Sequence, residues 1–283
     1  MHFSDMKLIG PFKQLLTFSS LPLRGALKDE QLVVLEDAGV LVEDGLIRQV
    51  GRYSSLVSGA DQVEELEEDL VGLPGFIDAH THCCFGGSRA ADFAARNNGK
   101  SYQDIAKAGG GIWDTVTKTR SASQDDLMFS MQSRLDRMAK QGITTVEVKS
   151  GYGLSVEQEL KMLNAIKACG EKHALDVVPT CLAAHIVPKE YTQAADYLQS
   201  VLRELVPQIK RHQLTNRFDI FIEENAFTAS VASDYLKSLQ ADGFALTVHG
   251  DQFTTGGSQV AIDCGAISVD HLEASGEREI NSS

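Results

Sequence analysis

A regular alternation of two kinds of segment begins at Leu73 and continues through His271. Apolar runs of strand length are each followed by a longer stretch, an order typical of βα units that build a parallel sheet. The apolar runs are GLPGFIDAH, GITTVEVKS, ALDVVPTCLAAH, RFDIFIEEN, GFALTVHG and GAISVDH. Apolar residues recur every three or four positions, as in amphipathic helices, in residues 126–141, 155–173, 192–214 and 230–242.

The spacing of these runs indicates a particular α/β architecture. From ALDVVPTCLAAH onward, the runs end at intervals close to the roughly 30 residues of one unit in a TIM-like (β/α)8 barrel. Six units are recognisable in residues 73–283, so we expect about six of the eight units of such a barrel. Residues 1–72 contain short β segments and a turn at Asp44–Gly45, which predict a separate small β domain.

The composition argues against several classes of protein. The chain has 26 Lys and Arg against 39 Asp and Glu, a formal net charge of -13. Such a surface repels phosphate backbones and anionic membranes, so neither nucleic acid nor a membrane is an expected partner. No run reaches the roughly 18 apolar residues of a membrane span, and the N-terminus lacks the apolar core of a signal peptide. Because the five cysteines show no paired spacing, we expect a cytoplasmic protein with reduced thiols.

Histidines are concentrated at the ends of the apolar runs. The chain has 8 histidines, and the run ends carry His80, His82, His185, His249 and His271. The carboxyl ends of barrel strands are where such enzymes build their active sites. His80 and His82 in DAHTH are two residues apart in an expected strand, so their side chains share a face and can bind one metal ion together.

Two further histidines extend this pattern. His249 ends ALTVHG, where a neutral imidazole is placed to complete three nitrogen ligands for Zn²⁺ or Fe. The alternative for His249 is a core histidine with no metal. His271 ends the next run and is predicted to face a water on the metal or the carbonyl of a substrate.

Longer motifs then resemble a known family. The stretch LPGFIDAHTHCCFGGSRAADFAARNNGKSYQDIAKAGGGIWDTVTKTRSAS, together with TTVEVKSGYGL, PTCLAAHIVP and SVDHLEAS, resembles the imidazolonepropionase family of metal-dependent amidohydrolases. The resemblance extends from the N-terminal β segments to residue 275. It implies an amidohydrolase barrel with a flanking β-sandwich, to which residues 1–72 would contribute the N-terminal part.

The resemblance also implies a metal centre and a catalytic pair. Its metal ligands correspond to His80, His82 and His249, which would hold one Zn²⁺ or Fe ion. Gln252, three residues after the last of these ligands, is implied to contact the reacting ring. His271 is implied to polarise the carbonyl that is attacked.

Four other residues are implied to bind substrate. Arg89 in FGGSR corresponds to the residue that holds the substrate carboxylate, and Tyr102 in SYQDI lies beside it in the family. A planar guanidinium after the Gly86–Gly87 turn suits a bidentate contact to such a group. Tyr152 in SGYGL and His185 in LAAH are implied to contact the ring and the rest of the substrate.

The implied reaction belongs to histidine degradation. Attack of a metal-activated water opens the cyclic amide C–N bond of the small-molecule substrate 4-imidazolone-5-propanoate and gives N-formimidoyl-L-glutamate. The family's eighth-strand Asp, which binds the metal and takes the water proton, has no counterpart, and Asp251, Asp263 and Asp270 do not occupy its position. We therefore expect the fourth ligand beyond Ser283 and little activity from this chain alone. The oligomeric state, including a homodimer, is left open.

Alternatives remain at this stage. Another amidohydrolase, such as a nucleobase deaminase or a dihydroorotase-like enzyme, would share the histidines, although Arg89 and Tyr152 argue against it. A catalytically silent truncated product is the second alternative. Lys149 would suggest a carbamylated ligand bridging two metals, but it ends the second run whereas the superfamily places that lysine on the fourth, which favours one metal. Cys83–Cys84 more often pack than ligate, and Gly109–Gly111 lack the Lys-Ser/Thr of a phosphate loop.

Overall fold

The computed structural model describes residues 5–23, 25–101, 104 and 109–281. The chain divides into two compact units, Met1–Gly75 and Phe76–Ser283, whereas the sequence analysis draws the boundary after residue 72. No helix in the described residues combines the length and the apolar character that crossing a bilayer requires.

The first unit is a five-stranded sheet. Its strands are β1 (Lys7–Leu16), β2 (Val34–Glu43), β3 (Leu46–Arg52), β4 (Gln62–Glu65) and β5 (Val71–Gly72), with a short helix α1 (Tyr53–Leu56). The strand order is β3-β2-β1-β4, and β5 also pairs with β1. β1, β2 and β3 pair antiparallel, whereas β4 and β5 run parallel to β1. The described residues of this unit thus form one sheet, and they include no second sheet to complete a sandwich.

The Asp44–Gly45 turn predicted from the sequence joins β2 to β3. Asp44 and Gly45 have φ angles of 51° and 75°, both in the left-handed region that a tight hairpin turn of this kind requires. Leu8, Leu41 and Leu56 are buried together as the small core of this unit. The turn therefore fixes the hairpin register, and the buried leucines fix which face points inward.

The second unit is built on a six-stranded parallel sheet. Its strands are β6 (Phe76–Asp78), β7 (Ile143–Lys149), β8 (Asp176–Ala184), β9 (Arg217–Phe221), β10 (Ala245–Gly250) and β11 (Ser268–His271). They pair in chain order from β6 to β11, and every pairing is parallel. All six predicted runs therefore contain a strand. The α/β class and the parallel sheet predicted from the sequence are confirmed.

Helices connect these strands. They are α2 (Ala90–Asn97), α3 (Ile112–Ser121), α4 (Gln124–Ala139), α5 (Val156–Gly170), α6 (Ala194–Ser200), α7 (Val206–His212), α8 (Ala229–Ala241), α9 (Gly257–Asp263) and α10 (Glu277–Ile280). The side chain of Ser123 accepts a hydrogen bond from Asp126 N at the start of α4, and Ser155 accepts one from Gln158 N at the start of α5. These N-caps satisfy backbone donors that the first turn leaves without a partner.

The helix predicted over residues 192–214 is interrupted. Between α6 and α7 the residues Val201–Leu205 form a wider π-helical turn, in which Val206 N donates to Val201 O. Pro207 follows immediately and has no N–H to donate to the preceding turn. A proline inside a helix removes one backbone hydrogen bond and is a recognised cause of local departures from straight α-helical geometry.

The parallel sheet is strongly curled. In a flat sheet, five steps of about 4.8 Å would separate β6 and β11 by roughly 24 Å. Instead, His80 just after β6 and Asp270 in β11 approach each other, with 2.8 Å between Nδ1 and Oδ2. The sheet is therefore curled like part of a barrel, and the carboxyl ends of its first and last strands approach a common space. Its other face is covered by a continuous apolar core that includes Leu135, Met162 and Phe218.

Candidate metal centre

The first two histidines of the site lie just beyond β6. That strand ends at Asp78, so the expected strand over both histidines is shorter than predicted. The chain nevertheless stays beside β7, because Lys149 N donates to Thr81 O over 3.0 Å. This contact keeps the segment aligned with the sheet, and the Nε2 atoms of His80 and His82 lie 3.3 Å apart.

His249 brings a third imidazole to the same place. It lies within β10 and is 2 % exposed. Its Nε2 atom lies 3.1 Å from Nε2 of His82, and its ring centroid lies 4.5 Å from that of His80. The structure thus brings together all three histidines that the sequence analysis assigns to the metal.

The spacing of these nitrogens fits a metal ion. Four ligands at about 2.1 Å in a tetrahedral arrangement lie about 3.4 Å from one another. The Nε2 atom of His82 lies at a similar distance from Nε2 of His80, 3.3 Å, and from Nε2 of His249, 3.1 Å. Burial lowers the pKa of His82 well below its usual value, and the neighbouring imidazoles of His185 and His249 lower it further. Neutral imidazoles are the form that binds a metal. The donor set therefore suits zinc or iron.

A second choice of three ligands overlaps with the first. Ligand atoms of His80, His249 and His271 all lie within 4.8 Å of one another. His271 is the more exposed member, and its Nδ1 lies 3.4 Å from Oε1 of Glu273. Its φ of 83° is in the left-handed region, which is uncommon for a residue other than glycine. Since Nε2 of His82 lies close to Nε2 of both shared members, we favour His82 as the third ligand and His271 as a neighbour of the metal.

A buried ionic cluster lies behind the histidines. Lys149 at the end of β7 is fully buried, and its Nζ lies 2.8 Å from Glu147, 2.6 Å from Asp219 and 3.3 Å from Asp270. Although burial opposes its charge, Asp219 and Glu147 raise the pKa of Lys149. A protonated amine has no lone pair for a metal, so Lys149 in this state is not a ligand.

Two of those carboxylates also contact the histidines. Oδ2 of Asp219 lies 2.9 Å from Nδ1 of His249, and its Oδ1 accepts a hydrogen bond from His249 N over 3.2 Å. Oδ2 of Asp270 lies 2.8 Å from Nδ1 of His80. Despite burial, His249 and Lys149 hold the pKa of Asp219 well below its usual range. Carboxylates in these positions fix the ring orientation and tautomer of a histidine ligand.

The sequence analysis missed Asp219 and set Asp270 aside. Asp219 lies between the apolar residues Phe218 and Ile220 in RFDIF, and a charge at the centre of a buried strand was a signal that could have identified it. Asp270 precedes His271 in β11. The structure places its carboxylate against His80. Matching Asp270 to positions of the family's motifs does not reveal this contact.

Tyr152 and His185 border the histidine centre. The His185 ring stacks on that of His82, with 5.1 Å between centroids and 22° between planes. The Tyr152 ring centroid lies 5.9 Å from that of His82 and 5.3 Å from that of His185. Burial lowers the pKa of His185 to about 3, and its Nδ1 lies 3.1 Å from Gly151 O. A neutral His185 therefore lies beside the candidate ligands.

Arg89 is fixed by groups around it. Its Nε donates to Oδ2 of Asp92, and its Nη1 donates to Oγ1 of Thr115 over 3.2 Å. The same Asp92 oxygen accepts a hydrogen bond from Gly111 N over 2.9 Å. These contacts tie Arg89, at the start of α2, to the first turns of α3. They hold the guanidinium in one orientation, while Asp92 already occupies one of its donors.

The Gly86–Gly87 turn before Arg89 lies tightly against α3. A Cβ atom at Gly86 would lie 2.6 Å from Lys118 O, and Gly87 has a φ of 78°. Both positions therefore require glycine.

Gln252, in the loop directly after β10, is half-buried. Tyr102 lies outside the described residues.

Comparisons with known proteins identify sequence relatives of this chain. No family model matches the chain. The chain is 41% identical over 259 residues to an imidazolonepropionase of Bdellovibrio bacteriovorus, which covers 90% of this chain and 60% of that protein. It is 40% identical over 275 residues to an imidazolonepropionase of Symbiobacterium thermophilum, covering 95% of this chain and 64% of that protein. The chain thus spans less than two thirds of the length of these relatives.

Solved structures share the fold at low sequence identity. The A. niger ochratoxinase superposes with a TM-score of 0.59 at 14% identity, covering 98% of this chain and 62% of that one. An atrazine chlorohydrolase from Arthrobacter aurescens, complexed with zinc, gives a TM-score of 0.55 at 14% identity over 92% of this chain and 58% of that one. At this level of identity the likeness establishes the fold alone.

The second unit has the fold of a curled parallel half-barrel, and imidazoles meet at the carboxyl ends of its strands. The sequence similarity is to the imidazolonepropionases, and the resemblance predicted from the motifs is confirmed.

Proposed function

We propose that this chain carries the catalytic centre for hydrolysis of the cyclic amide C–N bond of 4-imidazolone-5-propanoate, which gives N-formimidoyl-L-glutamate. The observation that carries the proposal is the convergence of three Nε2 atoms, at 3.1 Å and 3.3 Å, beside Tyr152 and His185. The identity of about 40% to imidazolonepropionases supports this substrate. The resemblance also supports an eight-unit barrel, of which six parallel strands are described.

In this proposal His80, His82 and His249 hold one zinc or iron ion. The ion supplies Lewis-acid activation of water and of the carbonyl oxygen. Asp219 and Asp270 keep His249 and His80 in the tautomer that leaves Nε2 available for binding. His271, whose ring centroid lies 5.2 Å from those of both His80 and His249, donates a hydrogen bond to the carbonyl that is attacked. Gln252 holds the ring in position.

The remaining groups bind and orient the substrate. The guanidinium of Arg89 pairs with the propionate tail, since a fixed planar cation suits a carboxylate. Tyr152 and His185 contact the ring, and Tyr102 completes the tail pocket. Because burial keeps the pKa of His185 at about 3, the imidazole faces the substrate as a neutral group at physiological pH.

A direct assay tests the proposal. The chain is supplied with zinc or iron, incubated with 4-imidazolone-5-propanoate, and examined for N-formimidoyl-L-glutamate. Since the relatives are longer, the same assay is run on the chain joined to the remaining length of the B. bacteriovorus protein. We expect product from the joined protein and background levels from its His249→Ala variant. Failure of the metal-loaded joined protein to form product would contradict the proposed substrate.

A further inference from the structure

The loop that presents Tyr152 to the histidine centre has an unusual backbone. It follows β7 and comprises residues 150–154, with φ angles of 114° at Gly151 and 52° at Leu154. A Cβ atom at Gly151 would lie 2.7 Å from Leu182 O, and one at Gly153 would lie 2.6 Å from Gln158 C and Glu159 N. The loop is therefore held closely against its surroundings, and something must stabilise its strained path.

Glu159 binds the N–H groups of this loop. Its side chain, in the first turns of α5, is fully buried. Its Oε2 accepts a hydrogen bond from Gly151 N over 3.0 Å, and its Oε1 accepts from Gly153 N over 2.7 Å and from Leu154 N over 2.8 Å. A single carboxyl group thus accepts hydrogen bonds from three backbone donors of the loop and uses both oxygens to do so. A glutamine has one acceptor oxygen and cannot reproduce this pattern.

Arg120, on α3, binds the carbonyl groups of the same loop. Its Nε donates to Gly153 O over 2.7 Å and its Nη2 to Leu154 O over 3.2 Å. Its Nη1 donates to Oε1 of Glu190 over 2.7 Å. The loop is therefore bound by a carboxyl group at its N–H groups and by a guanidinium group at its carbonyl groups. Neither Glu159 nor Arg120 is among the groups assigned above to metal or substrate.

We infer that Glu159 and Arg120 are positioning residues that hold the 150–154 loop so that the Tyr152 ring lies against His82 and His185. Their contribution to substrate specificity rests on the proposed function, but their effect on the Tyr152 ring does not. Glu159 and Arg120 together are called the clamp. When the clamp is removed, the loop no longer holds the Tyr152 ring in one position. The metal ligands lie on other segments, so zinc binding stays unchanged when the clamp is weakened.

The test compares Glu159→Gln with Glu157→Gln, an exposed glutamate two positions away on the same helix. Amide hydrogen exchange is measured across the chain, and the imidazole proton resonances of selectively labelled histidines are recorded. We expect exchange in residues 151–154 to accelerate at least tenfold in Glu159→Gln, with core strands unaffected. The His82 and His185 resonances should shift towards their positions in Tyr152→Leu, because an aromatic ring shifts nearby protons. Glu157→Gln should match the parent.

A second variant tests the same inference if Glu159→Gln does not fold. Arg120→Met removes the carbonyl side of the clamp, and Arg137→Met, an exposed arginine on α4, is its control. We expect Arg120→Met to reproduce the local exchange and the histidine shifts, with zinc affinity within twofold of the parent. Unchanged loop exchange and unchanged histidine resonances in a folded clamp variant would overturn the inference. None of these measurements requires turnover, so a wrong substrate assignment would leave their result intact.

Discussion

Asp219 joins His249 to the charged interior of the sheet. Its Oδ2 lies 2.9 Å from Nδ1 of His249 and 2.6 Å from Nζ of Lys149, while its side chain is wholly buried. One carboxylate thus orients a candidate metal ligand and neutralises a buried lysine. Asp219 and Asp270, which contacts His80 and Lys149, thus both connect the ionic cluster to the histidines.

Asp219→Asn should weaken metal binding without removing a ligand. The amide keeps the shape of the side chain but loses the charge that fixes the tautomer of His249. Loss of such a partner typically lowers metal affinity 10- to 100-fold, and we expect a decrease in that range. Competition with a chromogenic chelator measures it, with circular dichroism to confirm folding. Asp234→Asn, at an exposed position on α8, should bind zinc like the parent, and equal affinity in both variants would contradict the assigned role.

His82→Ala should reduce zinc affinity by at least 100-fold, because a binding nitrogen is lost outright. His271→Ala should reduce it by less than tenfold if His271 is a neighbour of the metal and not a ligand. The same chelator competition distinguishes the two overlapping sets of three histidines. His173→Ala serves as a control, since His173 pairs with Asp136 away from the centre. A larger loss of zinc affinity in His271→Ala than in His82→Ala would favour His80, His249 and His271 as the three ligands.

Arg89→Ala should weaken binding of a substrate that carries a carboxylate tail. A charge-assisted bidentate contact contributes roughly 1.5 to 3 kcal/mol, so we expect KM to rise about tenfold or more. A tail-less imidazolone should be affected little by the same substitution. Arg96→Ala, at an exposed position on α2, is the matched control. The measurement uses the joined protein described above, and an unchanged KM would refute the role of Arg89.

Leu135→Ala should destabilise the second unit substantially. Leu135 is fully buried on α4, and truncation of such a leucine costs about 2 to 5 kcal/mol through lost burial and a residual cavity. Phe129 on the same helix is 76% exposed, so Phe129→Ala should change stability by less than about 0.5 kcal/mol. Urea unfolding followed by far-ultraviolet circular dichroism compares the two. Similar midpoints for both variants would contradict the burial described for α4.

Much of the fold follows from local pattern, because it depends on neighbours in sequence. The apolar runs locate all six parallel strands, and Asp44–Gly45 locates the hairpin turn. The residue at which β6 ends is less predictable. The segment that carries His80 and His82 lies beyond this strand and stays beside the sheet because Lys149 N donates to Thr81 O. The π-helical turn before Pro207 is likewise a local departure within a correctly predicted helical region.

The supporting charges of the site are harder to predict than its histidines. Asp219 and Lys149 are 70 positions apart, and Glu159 acts on a loop whose backbone path the sequence does not reveal. Their pairing depends on which strands become neighbours and how far the sheet curls. Asp219 is visible in the sequence only as a charge inside an apolar run. Its partners become identifiable once the strand order is known.

The pairing of strands in chain order bears on how the protein is made. Each strand from β7 onward finds its neighbour already synthesised, so the sheet can grow one unit at a time as the chain leaves the ribosome. The proposed metal centre differs, since His82 and His249 are 167 positions apart. A site made of His80, His82 and His249 is complete only after β10 has been synthesised and has joined the sheet. In the proposed function, the metal would therefore bind late in biosynthesis, to a sheet that has already formed without it.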